Sequence, residues 1–128
     1  MSLVDIEEVF VSVDNCVFCM IAAGEMGAHK VFEDDEIIAF DDIAPQAPVH
    51  TLIIPKAHYV HIGDNVPVAT IAALFGAIPK IAEMKGVASS GYRVIVNNGR
   101  DANQTVGHLH VHVLGGQSMS HGMVNFVE

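Results

Sequence analysis

The sequence predicts an α+β fold, a five-stranded antiparallel sheet carrying two helices, and three observations lead there. Apolar runs of strand length, alternating or rich in β-branched residues, recur along the chain between short turn-forming segments. Apolar residues at helical spacing are confined to two stretches. The strand-like runs follow one another mostly in hairpin order, which points to an antiparallel sheet with helices set aside rather than alternating with strands.

Each element follows from its residues. Residues 1–14 read as a loose N-terminal extension. CVFCMIAAGEM (16–26) reads as a short helix with Phe18, Ile21 and Ala22 on one face, after which residues 24–27, bounded by glycines, turn the chain. KVFEDDEIIAFDD (30–42) predicts a hairpin about a tight acidic turn at 33–36, with Val31, Phe32 and residues 37–40 as its apolar content. IAPQAPVH (43–50) is a proline-containing connection. HTLIIPK (50–56) is a strand ended by Pro55, which has no N–H to give to a ladder. From 67 to 85, Ile71, Leu74, Phe75, Ile78 and Ile81 recur at helical spacing, and Pro79 should kink that helix or split its hydrogen bonding. GYRVIVNNG (91–99) and HLHVHVLGG (108–116) are the last strands, joined by the polar loop GRDANQTV. Residues 117–128 form a tail. No repeat or linker interrupts the chain, so residues 1–128 are expected to be one domain.

Composition narrows the function. Of 128 residues 51% are hydrophobic and 16% charged, the mark of a globular protein whose unusually apolar surface homodimerisation would cover. The apolar runs stay short of the roughly 20 residues that cross a bilayer, so no membrane span is expected. The opening residues are acidic and lack a basic stretch before an apolar one, so they do not read as a secretory signal and a cytoplasmic location is expected. A net charge of −9 with six Lys and Arg argues against non-specific nucleic-acid binding, which needs cations to displace counterions. Cys16 and Cys19 point to metal or thiol chemistry rather than a structural disulfide. Eight histidines are the outlier, and most fall in two clusters.

The strongest signal is His108-Leu109-His110-Val111-His112. On a strand, positions two apart face the same way, so three imidazoles share one face while Leu109, Val111 and Val113 enter the other. Three readings are open at this point: polar residues on a wet sheet face, a three-histidine zinc centre for hydrolysis, or a nucleophile beside an anion site. The polar loop immediately upstream, with Asn97, Gln104 and Thr105, is able to offer amides, a hydroxyl and backbone N–H groups to a phosphate.

GYRVIVNNGRDANQTVGHLHVHVLGG resembles the C-terminal half of the histidine triad (HIT) family, whose signature is His-φ-His-φ-His-φ-φ. The resemblance extends upstream through FEDDEIIAFDDIAPQAPVHTLIIPKAH, covers residues 16–116, and is closest to the Hint branch and to bacterial HIT proteins. It implies a homodimer whose two five-stranded sheets join into a ten-stranded one, with a purine nucleotide bound beside each triad. By resemblance, His110 is the nucleophile that attacks the α-phosphorus and forms a covalent nucleotidyl-imidazole. His112 contacts the phosphate and leaving group, and His50 orients the nucleophile. Asn97, Gln104 and Thr105 match phosphate-side residues, Asp42 matches the acid that holds the ribose hydroxyls, and Phe18, Ile21, Phe40 and Ile43 fit the base pocket. Thr105 stands where many relatives have Ser.

Bacterial members with this cysteine pair bind zinc through it together with two histidines, which here correspond to His58 and His108. The resemblance thus implies a structural zinc held by Cys16, Cys19, His58 and His108, leaving His110 and His112 for phosphate chemistry. His29, His61 and His121 are expected to be surface residues. Hint-type relatives carry a C-terminal tryptophan that reaches the active site, and this chain has none. Asp41 stands where relatives often have a neutral or histidine side chain, and an extra carboxylate near the nucleotide, like the overall charge of −9, would disfavour highly charged substrates. A nucleoside phosphoramidate is therefore the expected substrate, with a dinucleoside polyphosphate hydrolase and a nucleotide-binding interaction protein of incidental turnover as the alternatives.

Overall fold

The computed structural model describes residues 15–122. The predicted extension at 1–14 and the last six residues of the predicted tail lie outside the described residues. Five strands, β1 (Lys30–Glu33), β2 (Ile37–Asp41), β3 (Val49–Pro55), β4 (Tyr92–Ile95) and β5 (Val111–Gly115), form one sheet in the order β1-β2-β3-β5-β4 with every pairing antiparallel. The last strand in sequence thus inserts between β3 and β4.

Helices cover both faces. α2 (Val68–Gly76) and α3 (Ile78–Met84) contribute Leu74, Ile78 and Ile81 to one core with Ile37, Ala39, Ile53, Val111 and Val113. α1 (Val17–Ala22) seals part of the opposite face, packing Phe18 and Ile21 with Ile38, Phe40, Leu52 and Ile54. Coverage on both sides explains why Ile37–Phe40 is a continuous apolar run: alternate residues enter different cores. Asp34 closes the β1–β2 turn, its Oδ1 accepting the N–H groups of Glu36 and Ile37 at 2.8 and 2.9 Å.

Two expectations are corrected. The second helix is two helices, broken at Ala77 with Pro79 in the first turn of α3, where its missing N–H costs nothing. Phe75 was expected on the inward stripe but is 40% exposed, because the buried stripe runs through Thr70, Leu74, Ala77 and Ile78 and leaves Phe75 at its edge. The histidine run also enters its strand late. His108, Leu109 and His110 precede β5 in a segment whose Leu109 N–H donates to the Tyr59 carbonyl (2.6 Å) in the loop after β3. The alternation of sides nevertheless holds, since Leu109, Val111 and Val113 share the α2–α3 core. Among the described residues, no helix is long and apolar enough to cross a membrane.

Candidate functional site

The helix α1 and the strands β2, β3 and β5 enclose a cavity of about 300 Å³ on the α1 face. His110, His112 and Thr105 line it together with Phe18, Ile21, Phe40, Asp42 and Ile43. Eight residues singled out in four separate stretches of sequence therefore meet in one place. Ile43 is 98% exposed and belongs to neither core, whereas Phe18, Ile21 and Phe40 serve core and cavity at once. Met26, Leu52 and Val106 also line it and went unassigned from sequence. Leu52 had a legible signal, because it pairs across from Phe40 and so shares its face. Met26 sits in an irregular turn, where no periodicity applies.

Hydrogen bonds determine which nitrogen of each histidine is available. His110 Nδ1 lies 2.7 Å from the carbonyl oxygen of His108; a carbonyl only accepts, so Nδ1 carries the proton and Nε2 keeps its lone pair. His50 Nδ1 accepts from the Gln46 N–H (3.0 Å), so the proton sits on its Nε2, which donates to His112 Nδ1 at 2.9 Å. His112 accordingly holds its proton on Nε2. His50 thus orients His112, while the nucleophile candidate is aimed by the backbone. Asp42 Oδ2 is 3.5 Å from His50 Nε2, and its Oδ1 accepts the Ala44 N–H at 2.9 Å.

Burial keeps His110 and His112 neutral. Burial lowers the pKa of His110, and the bond to the His108 carbonyl offsets only part of that shift. Burial, helped by the neighbouring His110 and His50, brings His112 down to about 4 against the pull of Asp42. A neutral imidazole with an exposed Nε2 lone pair is a nucleophile; a neutral imidazole presenting Nε2–H is a hydrogen-bond donor. The cavity holds one of each.

Two residues predicted to face the phosphate do not line the cavity. Gln104 has both ends of its amide engaged: Oε1 accepts from Gly99 N–H (2.8 Å), and Nε2 donates to the carbonyls of Val60 (2.6 Å) and Val106 (2.8 Å). It ties the loop before the triad to the loop after β3. Asn97, half-buried past the end of β4, is likewise outside the cavity lining. Asp41 borders the cavity, but its carboxylate turns to the sheet face that carries α3. Oδ1 accepts from Thr51 Oγ1 at 2.9 Å, and Oδ2 meets Lys85 Nζ at 2.9 Å and His29 Nδ1 at 2.8 Å. Burial raises its pKa, yet those three bonds outweigh it and hold the carboxyl below its ordinary range. A carboxylate ion-paired on that face gives no ground for rejecting highly charged substrates, and the net charge of −9 alone still disfavours them. His29 is an exposed member of this bridge, and His61 Nδ1 accepts the Gly63 N–H at 3.1 Å.

A second cluster lies beside the cavity. One ligand atom from each of Cys16, Cys19, His58 and His108 falls within 4.8 Å of the others. His108 Nδ1 is 3.4 Å from Cys16 Sγ and 3.5 Å from Cys19 Sγ, and His58 Nδ1 is 3.1 Å from Cys19 Sγ. Bonds of 2.0–2.3 Å to a tetrahedral ion would give ligand separations of about 3.3–3.8 Å, close to these values. The His108 Nε2–H donates to the Pro55 carbonyl at 2.9 Å, which fixes the tautomer that leaves Nδ1 free to ligate. Cys16 is also the N-cap of α1, its sulfur accepting the Cys19 N–H at 3.3 Å, so the Cys-x-x-Cys spacing and the start of the helix are one feature. These four residues fit a metal ion.

The model of the HIT domain matches residues 23–119. The chain belongs to the HIT family. A HIT-like protein of Azospirillum brasilense is 47% identical over 108 residues, which cover 82% of this chain and 88% of that protein. The solved structure of a HIT family hydrolase from Legionella pneumophila superposes with a TM-score of 0.81 at 44% identity, over 84% of this chain and 98% of that one. The histidine triad nucleotide-binding protein of Candida albicans superposes with a TM-score of 0.74 at 30% identity, over 86% and 87% of the two chains. The HIT sheet is the five-stranded sheet described above, and the family's histidine run is His108, His110 and His112.

Proposed function

We propose that this HIT protein hydrolyses a purine nucleoside phosphoramidate at the α-phosphorus by way of a nucleotidyl-His110 intermediate. One observation carries the reading: the His108 carbonyl accepts the His110 Nδ1–H at 2.7 Å, which leaves the lone pair on Nε2 of a residue lining a cavity with an apolar side and a polar end. Nε2 attacks phosphorus as the bond from phosphorus to the leaving nitrogen breaks. The positive charge that develops on the ring is stabilised through Nδ1–H by the same carbonyl. The Nε2–H of His112 faces the phosphoryl oxygen or the departing nitrogen, which takes up a proton from solvent to leave as a neutral amine. Water then attacks phosphorus and returns a proton to solvent, the imidazole leaves, and AMP or GMP is released with His110 restored. Thr105 and the adjoining loop N–H groups contact the phosphate, Asp42 the ribose hydroxyls, and Phe18, Ile21, Phe40 and Ile43 the base. Similarity to a hydrolase from Legionella pneumophila and to a nucleotide-binding protein from Candida albicans supports this class of activity.

We further take Cys16, Cys19, His58 and His108 to hold a structural zinc ion. Zinc there supplies a cross-link, tying α1 and the loop after β3 to the residue whose carbonyl aims His110. The same four-ligand set leaves a three-histidine hydrolytic centre without its first ligand.

The test is incubation with adenosine 5′-phosphoramidate, rapid quenching and mass mapping. An adenylyl group on the peptide that carries His110, with release of ammonia and AMP, is the expected result. No adduct and no product would overturn the reaction, and much faster cleavage of dinucleoside polyphosphates would move the substrate to that class. Elemental analysis of protein purified without chelator tests zinc, with near-stoichiometric metal expected and its loss on Cys16→Ser.

A further inference from the structure

We propose that the nucleotide cavity continues into a second chamber that receives a substituent on the purine ring, with Lys30 as its polar end. This rests on the nucleotide reading above. The order of the strands supplies a ruler. His110 and His112 come from the β5 side of the cavity, Leu52 from β3 and Phe40 from β2, and neighbouring strands stand about 4.8 Å apart. The cavity therefore runs across the sheet, from the histidines at β5 to apolar walls at β2. A mononucleotide with its phosphorus at His110 lays its base toward β2, so the ring edge remote from the ribose faces β1.

A second cavity of about 160 Å³ opens there. It shares Ile21 and Met26 with the main cavity, adds Ala22 and Ile38, and reaches Lys30 and Glu33 on β1. The register places both charged residues on the correct face: Lys30 pairs with Phe40 and Glu33 with Ile38, and Phe40 and Ile38 belong to the core beneath α1. Directly opposed residues on paired strands project to the same side. Met26, 39% exposed and unbranched, lines both chambers with Ile21 and Ala28 and has the torsional freedom to move aside. The carboxylate of Glu33 is held from both ends, by Lys30 Nζ at 2.9 Å and Lys56 Nζ at 2.6 Å. Lys30 has three N–H donors, of which Glu33 takes one. Apolar walls ending at an ammonium suit a short aliphatic arm that terminates in an acceptor. The ligand class is a purine nucleotide with such an arm at the 6-amino position.

Calorimetric titration of the full chain with AMP, N6-butyl AMP and N6-(3-carboxypropyl) AMP tests the subsite. The butyl derivative should bind about tenfold more tightly than AMP, the equivalent of burying about two methylene groups. The carboxypropyl derivative should gain further at low salt, and Lys30→Met should remove only that further gain. Ala22→Leu fills the second chamber without entering the main one, and should return both derivatives to the affinity of AMP while AMP itself is unchanged. Equal affinities for all three ligands, or gains that survive Ala22→Leu, would overturn the subsite and leave the nucleotide reading standing. Failure of AMP to bind at all would overturn both.

Discussion

The chemistry assigned to His110 depends on its two nitrogens being unequal, and a single backbone atom makes them so. The carbonyl of His108 takes Nδ1–H, and the proton cannot move to Nε2 without losing a 2.7 Å hydrogen bond in a buried setting. Replacing His110 with Ala should abolish the covalent adduct and reduce turnover by roughly 10⁴-fold or more, while AMP affinity by calorimetry changes little. His50 acts one step back, through His112. Without His50 Nε2–H, His112 Nδ1 no longer has its donor and the ring is free to carry its proton there, so His50→Ala should lower kcat by roughly 10²-fold with little change in KM. An equal loss in KM would assign His50 to binding instead. The histidine row and the polar loop with Thr105 were legible from residue type and spacing, and Asp42 and the apolar wall only through the family resemblance; all of them line one cavity. What holds His110 was not legible, because a main-chain carbonyl leaves no mark in the sequence. Asp41 illustrates a signal that was present and misread, since alternation from Phe40 already sends its side chain to the opposite face.

Strands and loops hold these residues through a few points of close contact. β5 ends at Gly115, where an added Cβ would stand 2.9 Å from Val87 Cγ1 and 3.0 Å from its Cβ. Val87 is buried beyond α3, so the strand carrying His112 packs directly against the segment leaving that helix. Gly115→Ala should therefore destabilise the protein by about 1–3 kcal/mol in urea unfolding, and adding Val87→Ala should recover part of the loss. Gln104 performs the corresponding task for the loops. Gln104→Ala removes three hydrogen bonds at about 1 kcal/mol each, and amide exchange should accelerate at residues 99–107 and 58–64 together. Acceleration in only one of the two segments would show that Gln104 does not couple them. At this scale the five strands and the break at Pro79 follow from turn residues, β-branching and the missing proline N–H. The late start of β5 does not, because whether a residue enters a ladder depends on its partner strand: Ile53 pairs with Val111, and Tyr59, already in a loop, binds Leu109.

Over the whole molecule, stability should depend on pH through His112. Its folded pKa of about 4, set by burial and then by His110 and His50 against Asp42, lies below the 6.5 of an ordinary histidine. The unfolded chain therefore takes up this proton first. The contribution is complete above about pH 6.5 and is lost as pH falls toward 4, up to about 3 kcal/mol. Urea midpoints at pH 7.5 and 5 should differ accordingly, and His112→Asn should narrow the difference. Part of the exposed apolar surface lies on an outer strand of the sheet. β1 and β4 are the outer strands of the sheet. β1 is blunted as an edge by an irregularity between Lys30 and Phe32 and by charged residues at both ends. β4 pairs with β5 in regular register and leaves Tyr92 36% and Val94 37% exposed, an edge able to continue into a second sheet. If two copies join there, light scattering should give a mass near twice 13.7 kDa at micromolar concentration, and Tyr92→Lys with Val94→Lys should yield monomers. The histidines lie on β5, one strand in from that edge, so such monomers should keep the adduct-forming chemistry even as they lose stability. A wild-type protein that stays monomeric at tens of micromolar would exclude pairing through β4.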